Sequence, residues 1–184
     1  MKRYSIIVGV LICFGIIAKL YPFALGLMPR NVTREADCSL SRADDNFFSC
    51  VYFSYYEIVG QNRQEILAEV RQKGPNGYYA YTDTAVMVEE FAAQNCRVSV
   101  RSQIRMPQLE RGEHLPSAFV VQWERMIDAL EEHELQHHEI GTKIAWTELM
   151  NGCTGVDSLQ ERLDAANRAY DSATNHGRTE GVVF

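Results

Sequence analysis

Between Ser117 and Met150 apolar side chains return every three or four positions, at Phe119, Trp123, Met126/Ile127, Leu130, Ile140/Gly141, Ile144 and Leu149. That is the period of a helix with one buried stripe, and it predicts a single long helix opened by Ser117 and ending near Asn151-Gly152. Upstream the period changes. From Phe47 to Val59, Val51, Phe53 and Tyr55 alternate with Tyr52, Ser54, Tyr56 and Ile58, so aromatic and β-branched residues occupy both parities. The run predicts a strand covered on both faces for part of its length and ended by Gly60. Cys96–Met106 sets Val98, Val100 and Ile104 against Arg97, Ser99, Arg101 and Arg105, the pattern of a half-exposed strand. Its arginines read as a solvated outer face rather than a binding patch.

Shorter signals fill the intervals. Asn62-Arg63-Gln64-Glu65 has the form of a helix N-cap with an acid three positions on, followed by the apolar face of Ile66, Leu67 and Val70 and stopped by Gly74-Pro75. Asn76-Gly77 turns the chain into a second strand near Tyr78–Glu89, although the pattern over 85–93 taken alone also fits a helix. Residues 107–116 read as a charged loop, and 31–46 as an extended lead-in with a turn at Asp44-Asp45-Asn46. After Cys153, Asp157 or Ser158 caps a final helix, with Glu161 in the capping-box position and Leu159, Leu163, Ala166 and Tyr170 on one side. The sum is an α+β fold: a small twisted, mostly antiparallel sheet of three or four strands packed on a long helix, plus a C-terminal helix.

Composition narrows this to one globular domain over residues 47–184, behind a targeting segment at 1–26 and the lead-in at 27–46. Lys2-Arg3 precedes an apolar run from Tyr4 to Ala18 and a second, mostly apolar piece from Leu20 to Met28. This is an export signal with Ala24-Leu25-Gly26 at the cleavage position, or an uncleaved anchor attaching the protein to the membrane through residues 4–28. Either way the domain is periplasmic or secreted. Cys13, flanked by the large Ile12 and Phe14, is not a lipoprotein cysteine. The net charge is −6, and −9 once Lys2, Arg3 and Lys19 are removed, so nucleic acid is excluded as a partner. Cys38, Cys50, Cys96 and Cys153 form an even set in an exported domain, which implies two disulfides with three connectivities open.

The chemistry sits in the long helix. His133-Glu134-Leu135-Gln136-His137 places two imidazoles one turn apart on one face, continuing the apolar stripe, where both can grip one zinc ion. Glu134 beside them is a carboxylate free to act as general base toward a zinc-activated water. His138 and Glu139 are rotated away by about 100° per residue. Lys143 stands where a third helical histidine would belong, and Glu148 is too far along the helix. The third ligand must therefore come from elsewhere: His114, Asp157, Glu161, Asp171 or His176, with His176 favoured because it follows a helix end and precedes the permissive Gly177.

Tyr56-Glu57-Ile58-Val59-Gly60, Gly74-Pro75, Cys96-Arg97-Val98, the His133–His137 helix, Cys153 and Tyr170-Asp171-x-x-Thr174-x-His176-Gly177 together resemble a family of secreted bacterial zinc-dependent proteases, catalogued as a domain of unknown function among the zincins. The resemblance runs from about Phe53 to the end. It implies a zincin-like fold, one zinc ion on His133, His137 and His176, Glu134 as general base, and a Cys96–Cys153 disulfide. The remaining pair, Cys38 and Cys50, would close a short loop. The family's tryptophans in the second strand and after Leu115-Pro116 are missing here, which touches packing and the substrate cleft. The expected function is an exported zinc metalloprotease hydrolysing a peptide or protein substrate, with Tyr170 and Arg178 as transition-state candidates and Asp171 as acceptor behind a ligand imidazole. The alternative is a non-catalytic exported zinc-containing module that binds a peptide or cell-envelope ligand.

Overall fold

Aromatic and β-branched residues on both parities of the first long strand build the middle of a mixed sheet. The structure, a computed structural model, describes residues 34–37, 43–44, 46–92, 95–110 and 115–183. In chain order they form β1 (Arg34–Asp37), β2 (Ala43–Asp44), β3 (Phe47–Ile58), α1 (Arg63–Lys73), β4 (Tyr81–Ala92), β5 (Asn95–Leu109), α2 (Ser117–Met150) and α3 (Leu159–Thr174). Three-residue 3-10 turns lie at Pro75–Gly77, Val156–Ser158 and Arg178–Glu180. The targeting segment 1–26, Cys38 and His114 lie outside the described residues. Among the described residues no helix is long and apolar enough to cross a membrane.

The sheet order is β1-β3-β5-β4, with β2 also pairing β3. The expectation of a mostly antiparallel sheet is overturned at its centre. β3 and β5, the two strands that share the longest ladder, run parallel from Phe47↔Val98 to Ile58↔Leu109, while β4 pairs antiparallel with β5. A parallel pair needs a long crossover, and α1 with β4 supplies it. The short β1 and β2 lie in the expected lead-in and add antiparallel edges, so the sheet begins before residue 47. β4 starts at Tyr81 rather than Tyr78, because the Tyr56 hydroxyl donates to the Tyr79 carbonyl at 2.6 Å and holds the preceding bend. Its pairing with β5 decides 85–92 as strand, against the helical alternative.

β5 also runs on to Leu109, through Pro107, where a loop was expected. Pairing with β4 ends at Arg105, so beyond it β5 is an edge and the missing N–H of Pro107 faces no partner strand. On α1 the cap forms as expected: Asn62 Oδ1 accepts from the Glu65 N–H at 3.1 Å, and Glu65 Oε2 accepts from the Gln61 N–H. On α3 it does not. The chain enters through the 3-10 turn Val156–Ser158, so the Ser158 hydroxyl donates back to Gly155 O and makes no cap bond.

α2 lies against β5, β4 and β3 and contributes to two apolar clusters. One joins Val51, Phe53, Ile104 and Met106 of the sheet to Ile66 and Val70 of α1 and to Trp123, Met126 and Leu130 of α2. The other gathers Phe47, Val98, Val100 and Ala145, with Trp146 edge-on to Phe47 at 5.0 Å. Helix and sheet approach most closely at Gly141, where an added Cβ would meet Thr84 Cγ2 at 2.8 Å. Between the clusters runs a buried polar belt. His138 Nδ1 is 2.8 Å from Ser102 Oγ and its Nε2 is 3.0 Å from Ser49 Oγ, while Ser102 also bonds Thr84. A neutral imidazole donates at one nitrogen and accepts at the other, and the two hydroxyls suit both.

Burial lowers the pKa of His138 below its ordinary 6.5. Between that ordinary value and the folded one, the unfolded chain binds a proton that the folded chain does not, so stability must fall as pH drops through the window. We expect the urea midpoint to be lower at pH 5.5 than at pH 7.5, and the gap to shrink in His138→Gln. An equal gap in both proteins would remove His138 as the cause.

Cys96 at the start of β5 is joined to Cys153 just past α2, across a sequence separation of 57. Gly152 and Cys153 both take positive φ (67° and 56°), which turns the chain back from the helix end toward the strand. Cys50 is disulfide-bonded too, and its expected partner Cys38 lies outside the described residues. A closed loop of this length removes denatured-state entropy worth about 4 kcal/mol. Cys96→Ser with Cys153→Ser should lower the urea-unfolding free energy by an amount of that order. A drop of only a few tenths would show the crosslink to be incidental.

Candidate metal centre

His133, Glu134 and His137 are all buried on α2, where they line a cleft of about 710 Å³. The walls are the Tyr78–Thr82 segment leading into β4, the face of α3 carrying Asp164, Asn167, Arg168 and Asp171, and the hook that follows α3. His138, one residue on, is turned into the sheet. This is the separation that 100° per residue demands.

The hook is built by backbone geometry. Asn175, His176 and Gly177 take φ of 52°, 52° and 77°, three consecutive residues in a region that only glycine enters freely. They reverse the chain tightly, and side-chain bonds hold the reversal. Thr174 Oγ1 donates to Tyr170 O at 2.9 Å and accepts from the Gly177 N–H at 3.2 Å, while Thr179 Oγ1 donates to Thr174 O. Gly177 is also required by proximity, because a Cβ there would stand 3.1 Å from His133 Cγ.

The reversal lays Glu180 over the helix. His133 Nδ1 is 2.8 Å from Glu180 Oε2, and Tyr170 donates its hydroxyl to Glu180 Oε1 at 2.8 Å. Burial pushes the Tyr170 phenol pKa up and the Glu180 carboxylate adds to it, so Tyr170 stays a donor. The Tyr170 ring stacks on His133 at 5.0 Å and 21°. On the neighbouring turn His137 Nδ1 meets Asn167 Oδ1 at 3.1 Å. Both Nδ1 atoms are thus committed to acceptors, an arrangement that fixes the imidazole planes and leaves Nε2 as the lone-pair nitrogen.

Those two Nε2 atoms point at one carboxylate oxygen. Asp171 Oδ1 lies 3.3 Å from His133 Nε2 and 3.1 Å from His137 Nε2, and the three form a group able to hold a metal. A tetrahedral zinc with bonds of about 2.0–2.1 Å spaces its ligand atoms roughly 3.3–3.4 Å apart. Two imidazole nitrogens and a carboxylate oxygen facing one another at that spacing need a proton or a metal cation among them, and imidazole with carboxylate is a donor set zinc accepts. The residues present fit the ion.

His176 lies at the rim. Its side chain is 58% exposed, its Nδ1 is 3.9 Å from the same Asp171 oxygen, and its ring is 5.7 Å from that of Tyr78. The structure therefore brings Asp171 into the group and sets His176 next to it. Asp171 lies on the Nε2 side of the histidines, and the places behind them belong to Glu180 and Asn167. Asp157 and Glu161 are exposed and absent from the cleft walls. Arg178 lines the cleft, and the Tyr170 hydroxyl is occupied by Glu180.

Glu134 is held from the sheet. Thr82 Oγ1 lies 2.7 Å from Glu134 Oε2 and 3.1 Å from the Glu134 carbonyl. Burial raises the Glu134 pKa, the Thr82 hydrogen bond opposes that rise, and Oε1 keeps no partner among the described residues. Sequence reading missed Thr82, Asn167 and Glu180. Their only signal is spacing: Asn167 precedes Asp171 by one helical turn, and Glu180 follows a glycine that must turn.

A bacterial family described as "Bacterial protein of unknown function (DUF922)" matches residues 53–151. The match takes in α2 with His133, Glu134 and His137 and ends before α3. No curated protein and no solved structure matches the chain.

Proposed function

The chain belongs to this bacterial family of unknown function, and we propose that it is an exported zinc-dependent peptide hydrolase of the zincin kind. The observation that carries the reading is the convergence of His133 Nε2, His137 Nε2 and Asp171 Oδ1 beside a buried carboxylate with one free oxygen. His133, His137 and Asp171 would hold the ion, with His176 at the rim, its Nδ1 3.9 Å from Asp171 Oδ1. The disulfide Cys96–Cys153 fits an oxidising compartment. Residues 1–26 would serve as the export signal, or residues 4–28 as the membrane attachment.

Zinc, when bound, supplies a Lewis acid that polarises the scissile carbonyl and lowers the pKa of water to about 7. The rest falls to the chain. Glu134 Oε1, left open by the Thr82 bond to Oε2, takes the proton of the attacking water as the carbon–oxygen bond forms. It returns that proton to the amide nitrogen as the carbon–nitrogen bond breaks. Burial strengthens its hold on the proton between the two steps. Glu180 and Asn167 keep the two imidazoles in one tautomer throughout. A module that only bound a ligand would not use a buried carboxylate with an open oxygen, which is why the hydrolase reading is preferred.

The test is the metal content of the chain purified without chelator or added zinc, by elemental mass spectrometry, followed by a peptide-library digest. About one zinc per chain, with cleavage lost on chelation and restored by zinc, is expected. Protein that carries no metal and takes none up on titration would end the proposal.

A further inference from the structure

The carboxylates and the guanidiniums of the cleft are treated unequally. Each of its three carboxylates has a place: Glu134 accepts from Thr82, Asp164 accepts from Gln160 Nε2 at 2.8 Å, and Asp171 belongs to the group with His133 and His137. Arg168 and Arg178 line the same cleft, and neither guanidinium has a hydrogen bond or ion pair among the described residues. Arg168 follows Asn167, the partner of His137, and Arg178 lies two residues past His176, so the pair stands on two different walls of the metal group. A protein of net charge −6 has many acids with which to neutralise two arginines, and here it does not. Guanidinium forks that face a cleft without an acceptor are suited to a carboxylate brought from outside, bound through paired N–H bonds. Beside them Tyr78, Tyr81 and Val183 are about half exposed and offer apolar surface.

We propose that Arg168 and Arg178 form an anion subsite of the cleft that selects peptides carrying a carboxylate next to apolar or aromatic residues. The inference deepens the hydrolase reading and rests on it for the meaning of substrate. The carboxylate has two sources, the free carboxyl terminus of a peptide or an acidic side chain within one. A terminal carboxylate would make the protein trim chain ends, and a side chain would make it cut within a chain.

Three probes separate the cases: acetyl-Phe-Leu-Phe as the free acid, the same peptide as its amide, and acetyl-Phe-Glu-Phe amide. Binding is measured by NMR titration of the purified chain, both metal-free and zinc-loaded, so that an anion subsite is seen whether or not hydrolysis occurs. At least one carboxylate-bearing probe should bind tenfold or more tightly than the Leu amide in the metal-free chain, and weaken with added salt. Arg168→Gln with Arg178→Gln, both at exposed positions, should bring that probe down to the affinity of the amide with thermal stability unchanged. Preference for the free acid assigns the chain end, and preference for the Glu peptide assigns the side chain. Equal binding of all three, binding of none, or discrimination that survives in the double variant would overturn the subsite. Discrimination in a chain that takes up no zinc would instead sink the hydrolase and leave the anion subsite standing.

Discussion

Glu134→Gln should keep one metal ion per chain and lose peptide hydrolysis by roughly a hundredfold to ten-thousandfold, the range over which a positioned general base acts. The amide has the shape of the acid and can still accept from Thr82 through its carbonyl oxygen, so α2 and the cleft keep their form. What it cannot do is take a proton. Hydrolysis retained at the wild-type rate would dismiss Glu134 as the base and with it the proposed mechanism. Thr82→Val supplies the companion result. That hydroxyl lowers a pKa which burial raises, so removing it should move the acid limb of kcat/KM to higher pH, because activity is lost as the base is protonated on the way down. An acid limb that stays in place would mean that Thr82 serves packing only.

The second large effect concerns the ion itself. Asp171→Ala should weaken zinc binding by more than the 10–100-fold that loss of an outer partner costs, whereas Glu180→Gln should fall within that range. His176→Ala should cost least of the three, since its nitrogen lies 3.9 Å from the oxygen that the other two histidines approach within 3.3 Å. Competition against a chelating dye reads all three. A greater loss for His176→Ala than for Asp171→Ala would reverse the order and make the third ligand a histidine, as the resemblance implies.

Local features were legible in the sequence because their causes are local. An apolar stripe and two histidines four residues apart need only the helical period to be understood, and α2 runs from Ser117 as that period requires. Asn62 caps α1 for the same reason. The parallel partnership of β3 and β5 was hidden, since alternation along a strand says which residues face inward and nothing about the direction of its neighbour. The outer partners of the histidines were hidden differently. Glu180 is 47 residues from His133, and Asn167 is 30 from His137. Nothing about either residue type distinguishes it from any exposed polar side chain. Only the three-residue left-handed turn at Asn175–Gly177 decides that Glu180 folds back onto the helix, and backbone strain of that kind is not written in composition or period.

That turn has a consequence for timing. A chain delivered from its amino end, by a ribosome or through a membrane pore, presents His133 and His137 well before the residues that complete the group and lock its rings. Asp171 follows 34 residues after His137, and Glu180 follows 47 after His133. A half-emerged chain therefore holds two freely rotating imidazoles and no closed cleft. The proposed centre is complete only when the hook has folded back, which makes the last stretch of the chain the part that closes it.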